Sequence, residues 1–371
     1  MQLEPRQQSM LQALRRAGRL SRWELHDRTG IRPNTVGADM AVLLEAQVVR
    51  ECEAEAEGRG RPRVPLEIDT SLRDVIGMAI RPGRVDVTKL NLMGHAVDET
   101  QTRQTEPKNI ASVASELLQS MLDKRVLNIG LSTPGFVDPA RHAILFSSAM
   151  PEQQVSLQPI YDVASQLPVA LENDMHALAS RWLLTHEQDQ DEDVLLVYFD
   201  DGQLGAAILI NGRPNRGCVI GGSELGHTRL PVETDECYCG HTGCLERITS
   251  SAFLKQIDGR EIPLAARIAD FDGTDPALEH MVELFATGVA NAITFTRPNR
   301  VVMISELTRH NQFANHMVEA IRNQVMGMIA QRVRFDLWDQ PATNPAETAG
   351  YLALASFYYQ GWDQPAPKGN A

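Results

Sequence analysis

Cysteine is scarce in this chain, and the few cysteines are unevenly placed. The 371 residues include 5 cysteines, three of which (Cys237, Cys239 and Cys244) lie in one short stretch. An odd number of clustered thiols does not match the even, dispersed cysteines of a secreted disulfide framework. The pattern favours reduced thiols and a metal site, with Cys52 and Cys218 as bystanders.

Long apolar runs are also missing. No uninterrupted apolar segment approaches the roughly 20 residues that a membrane-spanning helix requires. The first residues, MQLEPRQQSM, contain no apolar core of a signal peptide. With an ordinary hydrophobic fraction of 43%, the chain is expected to be a cytoplasmic globular protein of two or three domains.

Positive charge is in short supply overall, but not at the N-terminus. The formal net charge of −13 taken alone argues against a nucleic-acid-binding protein. However, residues 1–65 hold 11 arginines against 9 acidic residues (net +2), and the remainder holds 24 basic against 39 acidic residues (net −15). A basic end on an acidic body indicates nucleic-acid contact at that end.

Residues 1–65 predict three short helices followed by a β-hairpin. Gly18 and Gly30 end the first two helices, and Ser21 with Glu24 three residues later is the start signal of the second. Apolar residues recur at helical spacing in the first and third helices, at Met10, Leu11, Leu14 and Ala17 and at Val36, Met40, Leu43 and Leu44. Two helices joined by a tight glycine turn and followed by strands predict a winged helix-turn-helix.

Two stretches of this segment carry side chains suited to DNA. IRPNTVGADM opens the third helix with residue types that read base edges in the major groove. GRGRPRVP is similar to arms that insert arginines into a narrow minor groove. The alternatives are a winged helix used for protein contact and, for the second stretch, a flexible linker. The candidate DNA-binding residues are Arg32, Asn34, Thr35, Arg59, Arg61 and Arg63.

The cysteine stretch has the composition of a structural metal site. Cys237, Cys239 and Cys244 form a C-x-C-x4-C motif, and His227 stands ten positions before the first cysteine. One imidazole and three thiolates fill the tetrahedral shell of Zn²⁺ and leave no open position for a reactive water. The alternative is a loop with unligated thiols, and His241 and Cys218 are weaker ligand candidates than His227.

The residues around the motif carry a family resemblance. GGSELGH, the cysteine stretch and CLERITS together resemble the signature of the ROK family, which comprises sugar kinases and sugar-responsive transcriptional repressors. The resemblance implies an actin-like, ribonuclease-H-like ATPase fold of two α/β lobes with a sugar cleft between them. The alternation of strand-like and helical patterns from about Val75 onward agrees with an α/β class.

The implied domain order is a DNA-binding head followed by two ROK lobes and a tail. The head is the extension that the family's repressors carry and its kinases lack. The expected divisions are residues 1–65 for the winged helix-turn-helix, 66–172 with 345–362 for lobe 1, 173–344 for lobe 2 with the zinc loop and the sugar site, and 363–371 for a disordered tail.

The resemblance also implies a sugar site. The motifs LSTPGFVD and LENDMHALA correspond to family stretches beside the sugar, in which Asp174 matches the catalytic base of the kinases. Carboxylates, an amide and an imidazole are the groups that bind vicinal hydroxyls, and a metal-bound His227 can offer its second ring nitrogen. The implied sugar-binding residues are Gly135, Asn173, Asp174, Glu224, His227 and Glu246.

Three departures separate this chain from the kinases. Their Asp-x-Gly-Gly-Thr loop is replaced by GMAIRPGRVDV, a second phosphate loop by FDDGQLGAAI, and the adenosine loop by VVMISELT. Phosphate cradles need glycine and the absence of negative charge, which Asp201, Gln203, Ser305 and Glu306 do not provide. We therefore expect no ATP site, no enzymatic activity, and a ligand-binding role for Asp174.

The expected function is transcriptional regulation of carbohydrate metabolism, most simply repression. A homodimer or homotetramer would bind a palindromic operator and respond to a sugar, with Zn²⁺ as a structural cofactor. The alternatives are an ATP-dependent sugar kinase with an accessory DNA-binding head, and a regulator that responds to a protein or a sugar phosphate.

Overall fold

The computed structural model describes the chain as two compact units. Unit 1 comprises Met1–Glu187 and Pro345–Ala371, and unit 2 comprises Gln188–Asn344. The described residues are 3–53, 64–147, 154–186, 192–217, 220–338 and 344–359, so the predicted tail lies outside them. Within these ranges, no helix combines the length and the hydrophobicity that crossing a bilayer would need.

The N-terminal part of unit 1 is a small head of three helices and two paired strands. Ser21 and Glu24 form the predicted capping box at the start of the second helix, and Gly30 ends it in the left-handed conformation. The two strands pair antiparallel. The head elements are α1 (Pro5–Ala17), α2 (Arg22–Thr29), α3 (Pro33–Glu45), β1 (Val49–Glu51) and β2 (Leu66–Ile68).

The rest of unit 1 is built on a five-stranded sheet. Its elements before unit 2 are β3 (Asp74–Arg81), β4 (Arg84–Asn91), β5 (Gln101–Gln104), α4 (Ile110–Met121), β6 (Val126–Thr133), β7 (Phe136–Asp138), β8 (Ala143–Phe146), β9 (Val155–Ser156), α5 (Gln158–Ala164), β10 (Val169–Asn173) and α6 (Asp174–Thr185). The sheet order is β10-β6-β3-β4-β5, and β7, β8 and β9 form a small separate sheet.

Unit 2 contains a second five-stranded sheet with flanking helices. Its elements are β11 (Val194–Asp200), β12 (Gln203–Ile210), β13 (Arg213–Pro214), α7 (Leu245–Ile248), α8 (Ser251–Asp258), α9 (Leu264–Ala269), α10 (Pro276–Thr296), β14 (Arg300–Ile304), α11 (Asn311–Gln324), α12 (Gly327–Ala330) and β15 (Arg334–Trp338). The chain then returns to unit 1 as α13 (Pro345–Phe357).

The two large sheets share one topology. The order in unit 2 is β13-β12-β11-β14-β15, so β11 matches β3 as the strand between an antiparallel meander and two parallel partners. In unit 1 the parallel strands are β3, β6 and β10. This duplication is what the expected actin-like fold requires, although the sequence itself shows no repeat of the kind.

The structure places α6 in unit 1, whereas the sequence division assigned residues from 173 onward to the second lobe. The physical reason is packing, because α6 lies along α13. Ala177 and Leu184 of α6 belong to the same buried cluster as Leu352 of α13. Nothing in the local sequence of α6 reveals this long-range partner.

One hydrophobic core joins the head to the remainder of unit 1. The cluster includes Met10 and Leu14 of α1 together with Leu90 of β4 and Tyr359 after α13. The guanidinium of Arg15 stacks over the Tyr359 ring and donates to the backbone carbonyl of Leu184 at 3.2 Å, near the end of α6. The head therefore packs against the rest of unit 1 through a shared core.

Candidate metal centre and ligand-binding residues

Four predicted metal ligands lie together in unit 2. The ligand atoms of His227, Cys237, Cys239 and Cys244 all lie within 4.8 Å of one another. Nδ1 of His227 is 3.6 Å from Sγ of Cys237, and the sulfurs of Cys239 and Cys244 are 3.5 Å apart. Tetrahedral Zn²⁺ with ordinary bond lengths places nitrogen and sulfur ligands about 3.6 Å apart and two sulfurs about 3.8 Å apart. The donor set and its spacing therefore fit a tetrahedral ion.

Tight turns bring these donors to one point. Gly240 and Gly243 have φ of 81° and 78°, a conformation that glycine adopts without strain. A side chain at Gly243 would also meet the carbonyl of Leu230 at 2.3 Å. The backbone N–H of Cys237 donates to the carbonyl of His241 at 2.8 Å, which closes the loop.

Burial makes two of the three cysteines poor free thiolates, whereas hydrogen bonds with His241 and Cys244 lower the pKa of Cys239 to about 7. Burial raises the pKa of Cys237, and it raises that of Cys244 to about 12. A bound divalent cation stabilises the thiolate form instead. With one imidazole and three thiolates as ligands, the ion would supply structure and no open coordination position.

The second ring nitrogen of His227 faces Tyr238, a residue that no sequence motif indicated. Nε2 of His227 lies 2.8 Å from the hydroxyl of Tyr238 and 3.6 Å from a carboxylate oxygen of Glu224. Burial and the neighbouring carboxylate of Glu246 raise the pKa of Tyr238. Tyr238 stands between two ligand cysteines, which fixes its backbone beside the metal, but the direction of its side chain is set by tertiary packing.

Glu246 offers a buried acceptor beside this group. It lies on α7, is 8% exposed, and its Oε2 has no hydrogen-bond partner among the described residues. Burial raises the pKa of Glu246, while the hydrogen bond with Tyr238 opposes that shift. A buried acceptor of this kind is available to a donor such as a water molecule or a ligand hydroxyl. Glu224, by contrast, is largely exposed.

The other predicted sugar residues lie in unit 1, at the carboxyl ends of β6 and β10. Asn173 caps α6 by accepting from the N–H of Met175 at 2.8 Å, and its amide donates to the carbonyl of Gly135 at 2.8 Å. Gly135 has φ of 90° and no room for a side chain, because the carbonyl of Phe146 would lie 2.1 Å from it. Asn173 thus holds the Gly135 loop against α6.

Asp174 is the first residue of α6 and directly follows Asn173, which bonds to Gly135. Its carboxylate accepts from the N–H of Met175 at 2.8 Å. Burial raises the pKa of Asp174, and this outweighs the hydrogen bond and the nearby positive charges, Arg81 among them. The Asp174 carboxylate can accept hydrogen bonds from ligand hydroxyls, and it lies at the edge where open α/β sheets bind ligands.

The turn that the sequence resemblance matches to the kinases' second phosphate loop is bonded to the protein's own residues. Asp201, in the turn between β11 and β12, accepts from the N–H of Ser251 at 2.7 Å and from the hydroxyl of the same residue. It thereby places a carboxylate at the N-terminus of α8, where a phosphate would gain most from the helix. In VVMISELT, the stretch matched by resemblance to the kinases' adenosine loop, Ser305 accepts from the N–H of Leu307 at 3.0 Å.

The head presents its predicted base-reading residues at the start of α3. Arg32 and Asn34 are exposed and Thr35 is half-buried. Further along the helix, Asp39 is buried and accepts from Nε of Arg6 at 2.7 Å, which ties α3 to α1. The predicted wing residues Arg59, Arg61 and Arg63 lie outside the described residues.

Most of the chain matches a known protein family. The sequence profile described as the ROK family matches residues 84–356. The chain belongs to the ROK family, and the resemblance inferred from the sequence is confirmed.

Curated relatives of the chain are regulators. A xylose repressor from Caldicellulosiruptor bescii is 22% identical over 84% of this chain and 85% of its own length. The xylose repressor of Bacillus subtilis is 22% identical over 87% and 88%. The DNA-binding transcriptional dual regulator NagC of Escherichia coli is 23% identical over 82% and 81%.

Solved structures show the same fold in regulators and kinases. A ROK family transcriptional regulator, a homolog of the E. coli MLC protein, superposes with a TM-score of 0.79 at 22% identity, over 94% of this chain and 96% of its own. A ROK family glucokinase from Streptomyces griseus, in complex with glucose and AMPPNP, gives 0.59 at 19% identity, over 76% and 100%. The actin-like, ROK-type fold is thus shown.

Proposed function

We propose that this protein is a sugar-responsive transcriptional regulator, most simply a repressor of carbohydrate metabolism, and not a sugar kinase. The observation that carries the proposal is the domain order of the chain: a head of three helices and a strand pair precedes the ROK domain. The named relatives are repressors and regulators, and the similarity covers most of their length. The regulator structure superposes on 94% of the chain, and the glucokinase structure on 76%.

DNA contact is assigned to the head. Its α3 would lie in the major groove, with Arg32, Asn34 and Thr35 against base edges. The free N-terminal end of α3 supports this role, since Arg32 and Asn34 make no polar side-chain contact with the described part of the chain. A homodimer or homotetramer would read a palindromic operator, because operator symmetry follows protein symmetry.

Effector binding is assigned to Gly135, Asn173, Asp174, Glu224, His227 and Glu246. In unit 1, Asp174 accepts hydroxyls while Asn173 and Gly135 shape its surroundings. In unit 2, zinc held by His227, Cys237, Cys239 and Cys244 would orient the imidazole and, through it, Tyr238 and Glu246. This is a structural cofactor acting on a ligand site through an outer shell of hydrogen bonds.

Two assays test the proposal together. Binding of the full chain to its operator is titrated with a panel of neutral and phosphorylated sugars, and at least one sugar is expected to change the affinity. A coupled ADP-release assay on the same panel is expected to stay at background, because Asp201 holds the helix terminus that would receive phosphate. Turnover above background would favour the kinase alternative, and operator affinity insensitive to every sugar would remove the effector.

The wing can be tested separately. Replacement of both Arg61 and Arg63 by Ala should lower operator affinity and reduce the slope of log K against log salt by about 2, if each contacts one phosphate. The measurement is operator affinity at several salt concentrations. Arg103→Ala, an exposed arginine on β5 paired with Glu116, is the control. An unchanged slope would place the wing outside the interface.

A further inference from the structure

Two arginines share one buried carboxylate at the turn between β3 and β4. Asp86 is 1% exposed and accepts from Nη2 of Arg84 at 2.9 Å and from the hydroxyl of Thr102 at 2.6 Å. Nε of Arg81 lies 3.3 Å from the same carboxylate. One negative charge cannot neutralise two guanidinium groups, so the turn keeps a net positive charge.

Arg81 is the less completely paired of the two arginines. Its shortest contact with Asp86 is an ion pair through Nε, and its two terminal nitrogens donate no hydrogen bond to the described residues. The side chain is 36% exposed. A guanidinium whose ion pair is made through Nε leaves its outer edge, with the two terminal nitrogens, for bidentate binding of a phosphate or carboxylate.

The turn lies at the same sheet edge as the proposed sugar residues of unit 1. In register, Ala79 of β3 is level with Ser132 of β6, which is level with Glu172 of β10. Arg81 therefore leaves β3 at the carboxyl edge where Asp174 follows β10. With neighbouring strands about 4.8 Å apart, the two backbones are separated by roughly 10 Å, a gap that a sugar and one substituent would span. The charge of Arg81 reaches Asp174, where it opposes the effect of burial.

We propose that Arg81, supported by Arg84, binds the phosphate of a monosaccharide phosphate whose hydroxyls are held by Asp174. The effector is then a phosphorylated sugar rather than a neutral one. This inference rests on the proposed sugar-sensing function and narrows its ligand class. The charge matches, because a phosphate monoester near neutral pH carries up to two negative charges, and the two guanidinium groups at the turn share the single negative charge of Asp86.

The test is a thermal-shift titration of the full chain with matched pairs: glucose and glucose 6-phosphate, N-acetylglucosamine and its 6-phosphate, xylose and xylose 5-phosphate, and inorganic phosphate alone. A ligand that binds only the folded chain raises the melting temperature by mass action. We expect one phosphorylated sugar to bind at least about tenfold more tightly than its neutral partner, in line with a hydrogen-bonded charge pair.

Three variants locate the effect. Arg81→Gln should remove the preference for the phosphorylated form by roughly ten- to hundred-fold, Arg81→Lys should restore part of it, and Arg103→Gln on the same sheet should leave it unchanged. The melting temperature of each variant without ligand checks that it folds.

The outcomes separate this inference from the function on which it rests. If no sugar of either kind binds, the proposed sugar sensing fails. If neutral sugars bind as tightly as their phosphates, or if Arg81→Gln keeps the preference, the phosphate site is rejected while sugar sensing stands. Inorganic phosphate acting as strongly as every ester would also reject it, because the sugar would then contribute nothing.

Discussion

Gly130 has no room for a side chain, because the backbone of α13 lies directly against β6. A Cβ at this position would stand 1.8 Å from the carbonyl oxygen of Ala349. We therefore expect Gly130→Ala to lower the free energy of unfolding by about 3 kcal/mol, the upper end of the overpacking range. Denaturant unfolding measures the loss. Gly327→Ala is the matched control, since nothing lies within 4 Å of its Cβ position, and an equal loss in both variants would contradict the packing explanation.

The carboxyl of Asp174 should make stability depend on pH. Burial raises its pKa in the folded chain, so folding favours the protonated form. Its contribution is neutral below the unfolded pKa of about 3.9 and becomes destabilising as the pH rises from there through the raised folded pKa. Asp174→Asn should therefore melt higher than the parent chain at pH 7, and the difference should shrink toward pH 4.

An oppositely shifted aspartate provides the control for that measurement. Hydrogen bonds from Thr274 lower the pKa of Asp272, so its ionised form is favoured by folding. Asp272→Asn should melt lower than the parent at pH 7, with the difference again shrinking at acid pH. If both variants shift the melting temperature in the same direction at pH 7, burial does not govern Asp174.

At the scale of the element, the loop that carries Cys237, Cys239 and Cys244 is predicted to bind zinc and thereby to support sugar binding. We expect the purified chain to carry about one zinc ion, Cys244→Ser to lose it, and Cys52→Ser, an unclustered thiol, to keep it. Elemental analysis measures the metal. Removing the ion with a chelator should also weaken sugar binding, because His227 contacts Tyr238 through its second nitrogen. Sugar affinity that is unchanged after metal loss would show that this coupling is absent.

Local elements could be predicted from sequence where one short pattern decides the structure. The capping box at Ser21 and the left-handed Gly30 follow from backbone hydrogen bonding within a few residues. The cysteine motif likewise fixes its ligand types and spacing. The family signature then predicts the fold, which the profile match and the solved structures confirm.

Other features depend on partners far along the chain. Tyr238 faces His227, Asp201 caps α8, and α6 belongs to unit 1 because α13 returns to pack on it. Each of these contacts depends on side-chain direction or long-range packing, which spacing alone does not encode. The arginines at the β3–β4 turn were visible as a departure from the kinase loop, but their shared carboxylate Asp86 was not.

At the scale of the whole molecule, the core shared by the head and the rest of unit 1 links α1 to the helices near Asp174. α1 packs in the same cluster as α13, and Arg15 of α1 bonds to the last turn of α6. The first residue of that helix is Asp174. A rigid helix of 12 residues thus connects a proposed effector residue with the head, so a shift of α6 on ligand binding would be passed to α1 without a flexible linker between them.

Effector response and DNA binding should nevertheless be separable by mutation, because their residues are different. Glu246→Gln keeps the shape of the side chain while removing its charge, so we expect operator affinity without sugar to stay within about twofold. The sugar concentration needed for half-maximal release should rise by roughly tenfold or more, the typical loss for a hydrogen bond to a charged group. Operator binding titrated with effector measures both quantities. Glu261→Gln, an exposed carboxylate paired with Lys255, should change neither. An equal loss of operator affinity and sugar response in Glu246→Gln would mean that Glu246 supports the fold of unit 2 rather than the ligand.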